Sequence, residues 1–120
     1  MIISIKFTNI HRNQRWIIYN YNWVRKEELE TNTSLYLSYK HLGQDYDEKE
    51  IHSLIKETEY IEFELNFRLY QLLEDTSYLE TAYNQVQEKA SAMEEELAVK
   101  FLSYPMPKAI VEEWEKVLQQ

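Results

Sequence analysis

The chain reads as an α+β domain: an N-terminal antiparallel β-hairpin or three-stranded sheet packed on a long antiparallel helical hairpin, with a short C-terminal helix. Three observations predict this. Apolar residues alternate with period two near the start (Ile3, Ile5, Phe7), then recur with three-four spacing between Asp47 and Tyr104. The 120 residues include one glycine and two prolines, too few for the many tight turns of an all-β fold. The length and a 44% apolar fraction suit one folded domain, residues 1–120, with a real core.

Ile3, Ile5 and Phe7 read as a first strand. Trp16–Val24 reads as a second, with Ile17, Tyr19, Tyr21 and Trp23 on one face and Trp16, Ile18, Asn20, Asn22 and Val24 on the other. The polar residues His11 to Arg15 would join them, without an Asn-Gly or Asp-Gly pair to signal a two-residue turn. Residues 34–42 fit two patterns. Leu35, Leu37 and Tyr39 alternate as in a strand, whereas Leu35, Tyr39 and Leu42 suit a helix capped by Ser34 and followed by Gly43. The strand reading is adopted, because a two-stranded sheet alone is marginal.

Asp47–Leu73 is predicted as one helix with Asp47 as N-cap and Glu50 three residues on. Ile51, Leu54, Thr58, Ile61, Leu65, Leu69 and Leu72 form one stripe; Tyr60, Phe63, Phe67 and Tyr70 form a second, nearly opposite, expected to pack on the hairpin. Strand-like alternation from Ile61 to Leu69 competes, but the pattern is long and contains no turn signal. After Glu74-Asp75-Thr76-Ser77, a capping box of Ser77 and Glu80 opens a second long helix. Its seam is Leu79, Tyr83, Val86, Ala90, Met93, Leu97, Phe101 and Tyr104, ended by Pro105. Pro107 suits the first turn of a last helix in which Ile110, Trp114 and Val117 or Leu118 share a face.

Charge is split along the chain. Residues 1–26 hold five cations (Lys6, Arg12, Arg15, Arg25, Lys26) and no anion, while residues 27–120 hold eight basic and all 21 acidic residues. The stretches are +5 and −13, summing to −8, an asymmetry that concerns association more than fold. Cysteine is absent, which excludes disulfides, thiolate metal sites and cysteine nucleophiles. The opening MIISIKF does not read as a signal peptide and no apolar run reaches the length of a membrane span, so a cytoplasmic protein is expected.

No catalytic motif is present. Gly43 is alone, so no phosphate-cradling loop exists, and the Gly-x-Ser-x-Gly elbow is missing. Glu48 and His52 stand four apart rather than in the Glu-x-x-His spacing of di-metal sites, so neither metal nor cofactor is expected. Glu50, Glu57 and Glu64 recur every seven residues; on one helix they would form a row with steps of about 10.5 Å. Glu59 and Glu62 flank that row, and Tyr60 and Tyr70 are aromatic anchors for a partner. The plainer alternative is a solvated glutamate-rich face. His11, Arg12, Arg15 and Trp16 offer a small basic patch, but the −13 elsewhere disfavours nucleic acid and would instead be offset by these cations. The expected function is therefore a non-enzymatic protein that neutralises a basic partner, such as a nucleic-acid enzyme, in the manner of inhibitors, immunity proteins or phage antagonists. Two alternatives are a self-associating scaffold or homodimer using the heptad seam, and an enzyme with a Tyr/Glu site.

Overall fold

A computed structural model describes the backbone of residues 10–120 and the side chains of residues 21–120. Among the described residues the structure is helical throughout, with six helices and no strand. It divides into two compact units, one ending at Tyr60 and one beginning at Ile61.

The N-terminal unit pairs α1 (Ile10–His41) with α2 (Glu48–Glu57). The predicted second strand, Trp16–Val24, and the loop before it both lie within α1, which corrects the α+β assignment. The predicted first strand, Ile3 to Phe7, lies outside the described residues. The alternation misled because residues 16–24 are apolar except for Asn20 and Asn22, and so dense a run suits either element. No glycine or proline interrupts residues 10–41, so nothing stops the helix. Residues 34–41 continue it, which corrects the strand reading; Ser34 is interior and its carbonyl accepts the Ser38 hydroxyl at 3.3 Å. Gly43 ends the helix at φ 73°. The Gln44 N–H reaches the Tyr39 carbonyl at 2.8 Å and the Gly43 N–H the Lys40 carbonyl at 3.1 Å, the paired bonds of a glycine C-cap.

Asp47 caps α2 as expected, accepting the Glu50 N–H at 3.2 Å. The helix predicted to run on to Leu73 is two helices, broken across residues 58–62. The Thr58 hydroxyl takes the Leu54 carbonyl at 2.7 Å, and the Thr58 backbone is extended at ψ 121°. A side chain thus occupies the carbonyl that the next helical turn would use. Leu29 and Thr33 from α1, with Ile51 and Leu54 from α2, are the buried residues at the heart of this unit.

The C-terminal unit contains α3 (Phe63–Leu73), α4 (Thr76–Ser91), α5 (Glu95–Leu102) and α6 (Pro105–Leu118). Both predicted stripes on α3 are buried or half-buried: Leu65, Leu69 and Leu72 on one side, Phe67 with Phe63 and Tyr70 on the other. The aromatic stripe packs with α4, α5 and α6 rather than on a β-hairpin; its core partners include Leu79, Ala82, Val86, Phe101 and Ile110. Tyr60 is not part of it and is 63% exposed. The helical hairpin expected around residues 74–77 is present as α3 and α4, joined through Glu74 and Asp75.

The cap of α4 is Asp75 rather than Ser77. Its carboxylate accepts the Ser77 N–H at 2.9 Å and the Ser77 hydroxyl at 2.7 Å, so the stronger acceptor starts the helix two residues earlier. The long second helix is also two. After α4 the chain leaves helical geometry at residues 92–94, and this bend brings the Phe101 ring edge-on to Phe63 at 6.0 Å. Leu79, Val86, Ala90 and Phe101 keep their seam positions in the core, while Leu97 is 55% exposed. Pro105 opens α6, where a missing N–H costs nothing, and Ile110, Trp114 and Val117 face the core while Leu118 is exposed.

Burial separates two leucines of the sequence seam. Leu79→Ala is expected to cost about 2–5 kcal/mol in urea denaturation, and Leu97→Ala under about 0.5 kcal/mol. Equal losses would show that α4 and α5 are not packed as described.

Candidate functional site

The helices of the N-terminal unit are joined by carboxylate contacts as well as by apolar packing. Glu50 at the start of α2 accepts the Asn32 side-chain amide at 2.9 Å and the Tyr36 hydroxyl at 3.1 Å. Glu57 at its end lies 3.5 Å from the Arg25 guanidinium. Glu59, just beyond, accepts the Asn22 side-chain amide. The partners descend α1 as the glutamates ascend α2, so the helices are antiparallel and their register is fixed at both ends. Glu50, Glu57 and Glu59, predicted to meet a partner, are therefore engaged by the chain itself.

The predicted row is not a row. Glu50 and Glu57 are on α2, whereas Glu64 is on α3, in the other unit, 3.2 Å from Arg68 one turn on. Glu62 is the N-cap residue of α3 without a capping side-chain bond. His11, Arg12, Arg15 and Trp16 belong to the first turns of α1 rather than to a loop.

Arg25 is the most heavily used cation of this region. One guanidinium nitrogen meets Glu28 at 2.7 Å, another meets Glu57, and its carbon sits 5.2 Å from the centre of the Tyr21 ring. Beside it an open groove of about 520 Å³ runs between Asn22, Trp23 and Lys26 of α1 and Thr58, Glu59 and Tyr60 after α2. Trp23 is 48% and Tyr60 63% exposed, large apolar rings left at a surface. The hydrogen bond from Asn22 fixes the Glu59 carboxylate within this groove. Sequence reasoning named Glu59 and Tyr60 but missed Asn22, Trp23 and Lys26. A continuous helix through residue 22 would have placed Asn22 and Lys26 on one face.

In the C-terminal unit, Tyr70 is an interior strut rather than an anchor. Its hydroxyl donates to Glu113 of α6 at 2.7 Å. That bond, then burial, then the Glu113 and Glu74 charges push its pKa up to about 12. The Asn66 and Gln85 amides converge on the Ile61 carbonyl at 3.0 and 2.8 Å, and Asn66 also donates to Gln85 at 3.0 Å. Asn66 is thereby buried with its polar atoms satisfied.

Among the described residues no group of three His, Asp or Glu side chains is placed to hold a metal ion. His52 and Glu48 stand 3.6 Å apart as an exposed pair on α2. No described helix is long and apolar enough to cross a membrane. No known protein family, curated protein or solved structure matches this chain.

Two predictions test these polar groups. Thr33 is wholly buried and its hydroxyl has no hydrogen-bond partner, so Thr33→Val should leave stability unchanged or raise it by up to about 1 kcal/mol in urea denaturation. A loss beyond that would mean the hydroxyl is satisfied. The Tyr70 phenol ionises near 12 in the folded chain against 10.0 unperturbed, so its contribution is intact below pH 10 and lost as pH rises toward 12. Ultraviolet titration of the folded protein and of Tyr70→Phe should show the missing tyrosine as a late-ionising one. A difference centred at pH 10 would contradict the Glu113 bond.

Proposed function

We propose that this chain is a non-enzymatic binding module that occludes a basic protein partner, with nucleic-acid enzymes one such class, and that the carboxylates of its C-terminal unit provide the attraction. The carrying observation is the distribution of charge between the units. Residues 1–60 hold nine acidic and eight basic residues, a net −1, whereas residues 61–120 hold twelve and five, a net −7. Glu94, Glu95 and Glu96 at the start of α5, with Glu112 and Glu115 on α6, are exposed. They lie outside the ion pairs among the described residues. Glu50, Glu57 and Glu59, by contrast, already serve α1. Unpaired surface charge steers a partner from a distance, and this field is sensitive to salt.

The scaffold alternative loses support from burial. Leu79, Val86, Ala90 and Phe101 of its seam lie in the chain's own core. The enzyme alternative gains none, because among the described residues no group of perturbed acids and bases converges in a closed pocket.

The test is kinetic. A partner captured from the native host is purified and its association followed at 50 and 500 mM salt, between which the Debye length falls from about 14 Å to about 4 Å. The association rate should drop steeply while dissociation changes little. The Glu94→Lys, Glu95→Lys, Glu96→Lys triple variant should remain helical by circular dichroism and bind at least about tenfold more weakly, in line with the loss of several favourable charge pairs. Affinity unchanged within about twofold would remove the acidic surface from the account.

A further inference from the structure

We infer that the groove between Trp23 and Tyr60 receives an arginine side chain of a basic protein partner. The inference rests on the proposed reading for the class of partner, and names a second surface on which that partner is recognised.

The groove contains the parts that hold a guanidinium. Trp23 presents a large, half-exposed aromatic surface to an open volume of about 520 Å³, and Tyr60, 63% exposed though engaged within the molecule, lines it too. A guanidinium is planar, weakly hydrated and stacks on aromatic faces, with tryptophan the best of them. Glu59 supplies the opposing charge. Its Oε2 accepts the Asn22 amide, which holds the carboxylate in place and leaves Oε1 for a second donor.

The chain contains its own example of this arrangement on the same helix. Arg25 sits 5.2 Å from the Tyr21 ring with Glu28 and Glu57 as carboxylate partners. The groove repeats the ring and the carboxylate, with the guanidinium to come from outside. Lys26 also lines it and is engaged within the molecule. The groove thus carries one positive and one negative side chain. Stacking, rather than net charge, should decide what enters, and stacking is what separates arginine from lysine.

Two synthetic peptides test this, one alternating six arginines with glycine and one with lysines in their place. Binding is measured by calorimetry at 50 mM salt. The arginine peptide should bind about fivefold more tightly, the size of one partly desolvated cation–π contact. Trp23→Ala should bring the ratio close to one. Glu59→Gln retains an oxygen for the Asn22 amide but removes the charge, and should lower the ratio likewise. The ratio measured in Glu59→Gln decides the matter if Trp23→Ala melts early. The triple lysine variant of Glu94, Glu95 and Glu96 should weaken both peptides equally and keep the ratio. If that variant changes nothing while the ratio still depends on Trp23 and Glu59, the acidic-surface reading fails and the groove stands. Equal affinity for the two peptides, a preference that survives both groove substitutions, or no binding of either peptide would overturn the inference.

Discussion

After Gly43 this chain has no glycine with which to turn, and the rest of the structure is built around that constraint. Side chains and ordinary residues make every later change of direction. Thr58 closes α2 by bonding its hydroxyl back to Leu54. Glu74 adopts the left-handed conformation at φ 56°, an uncommon state for a residue with a Cβ, and its N–H bonds to the Tyr70 carbonyl at 2.8 Å. Asp75 then caps α4. Ser91 and Ser103 donate their hydroxyls to carbonyls one turn back, at the ends of α4 and α5. These devices pack short helices around one core in the C-terminal unit, which two long helices would not do.

The same constraint explains what the sequence concealed. The three-four spacing on residues 47–73 and 79–104 marked most of the buried faces, because Ile51, Leu54, Leu65, Leu69, Leu79, Val86 and Phe101 are buried, but it also picked Leu97 and Tyr104, which are exposed. It did not mark the breaks, because a helix ended by Thr58 or bent at residues 92–94 keeps its apolar period across the interruption. Asp47 was legible because it acts through local chemistry, a carboxylate cap; Gly43 offered an equally local signal, a positive φ after a helix, which the strand reading of residues 34–42 set aside. The N-terminal region misled for the opposite reason. The face that α1 turns toward α2 includes Asn22, Arg25, Asn32, Thr33 and Tyr36, and a polar stripe of this kind gives no hydrophobic period to read. Alternating aromatics upstream then suggested strands. The groove was hidden with it, since Trp23 and Asn22 meet Glu59 only once residues 22 and 59 are brought together by two antiparallel helices.

Carboxylates therefore do two kinds of work in this molecule. Glu50, Glu57 and Glu59 are spent on register, holding the short α2 against the long α1 where few apolar residues are available. Exposed pairs of this type contribute little energy each, but their placement at both ends of α2 selects one alignment. Glu113 braces Tyr70, whereas Glu94, Glu95, Glu96, Glu112 and Glu115 have no such duty and belong to the surplus that gives their unit its net −7. In the proposed reading the surplus charge of the C-terminal unit sets the rate of encounter and the aromatic groove of the N-terminal unit the choice of side chain.

The division of labour among glutamates is the central claim, and carboxylate resonances report on it directly. In a ¹³C-labelled protein titrated with a lysine-rich peptide at low salt, the side-chain carboxyl signals of Glu94, Glu95, Glu96, Glu112 and Glu115 should move together and return when salt is raised. Those of Glu50 and Glu57 should stay in place, held by Asn32, Tyr36 and Arg25. If Glu50 and Glu57 move as far as the α5 and α6 residues, or if only they move, the carboxylates are not divided in this way and the account is contradicted.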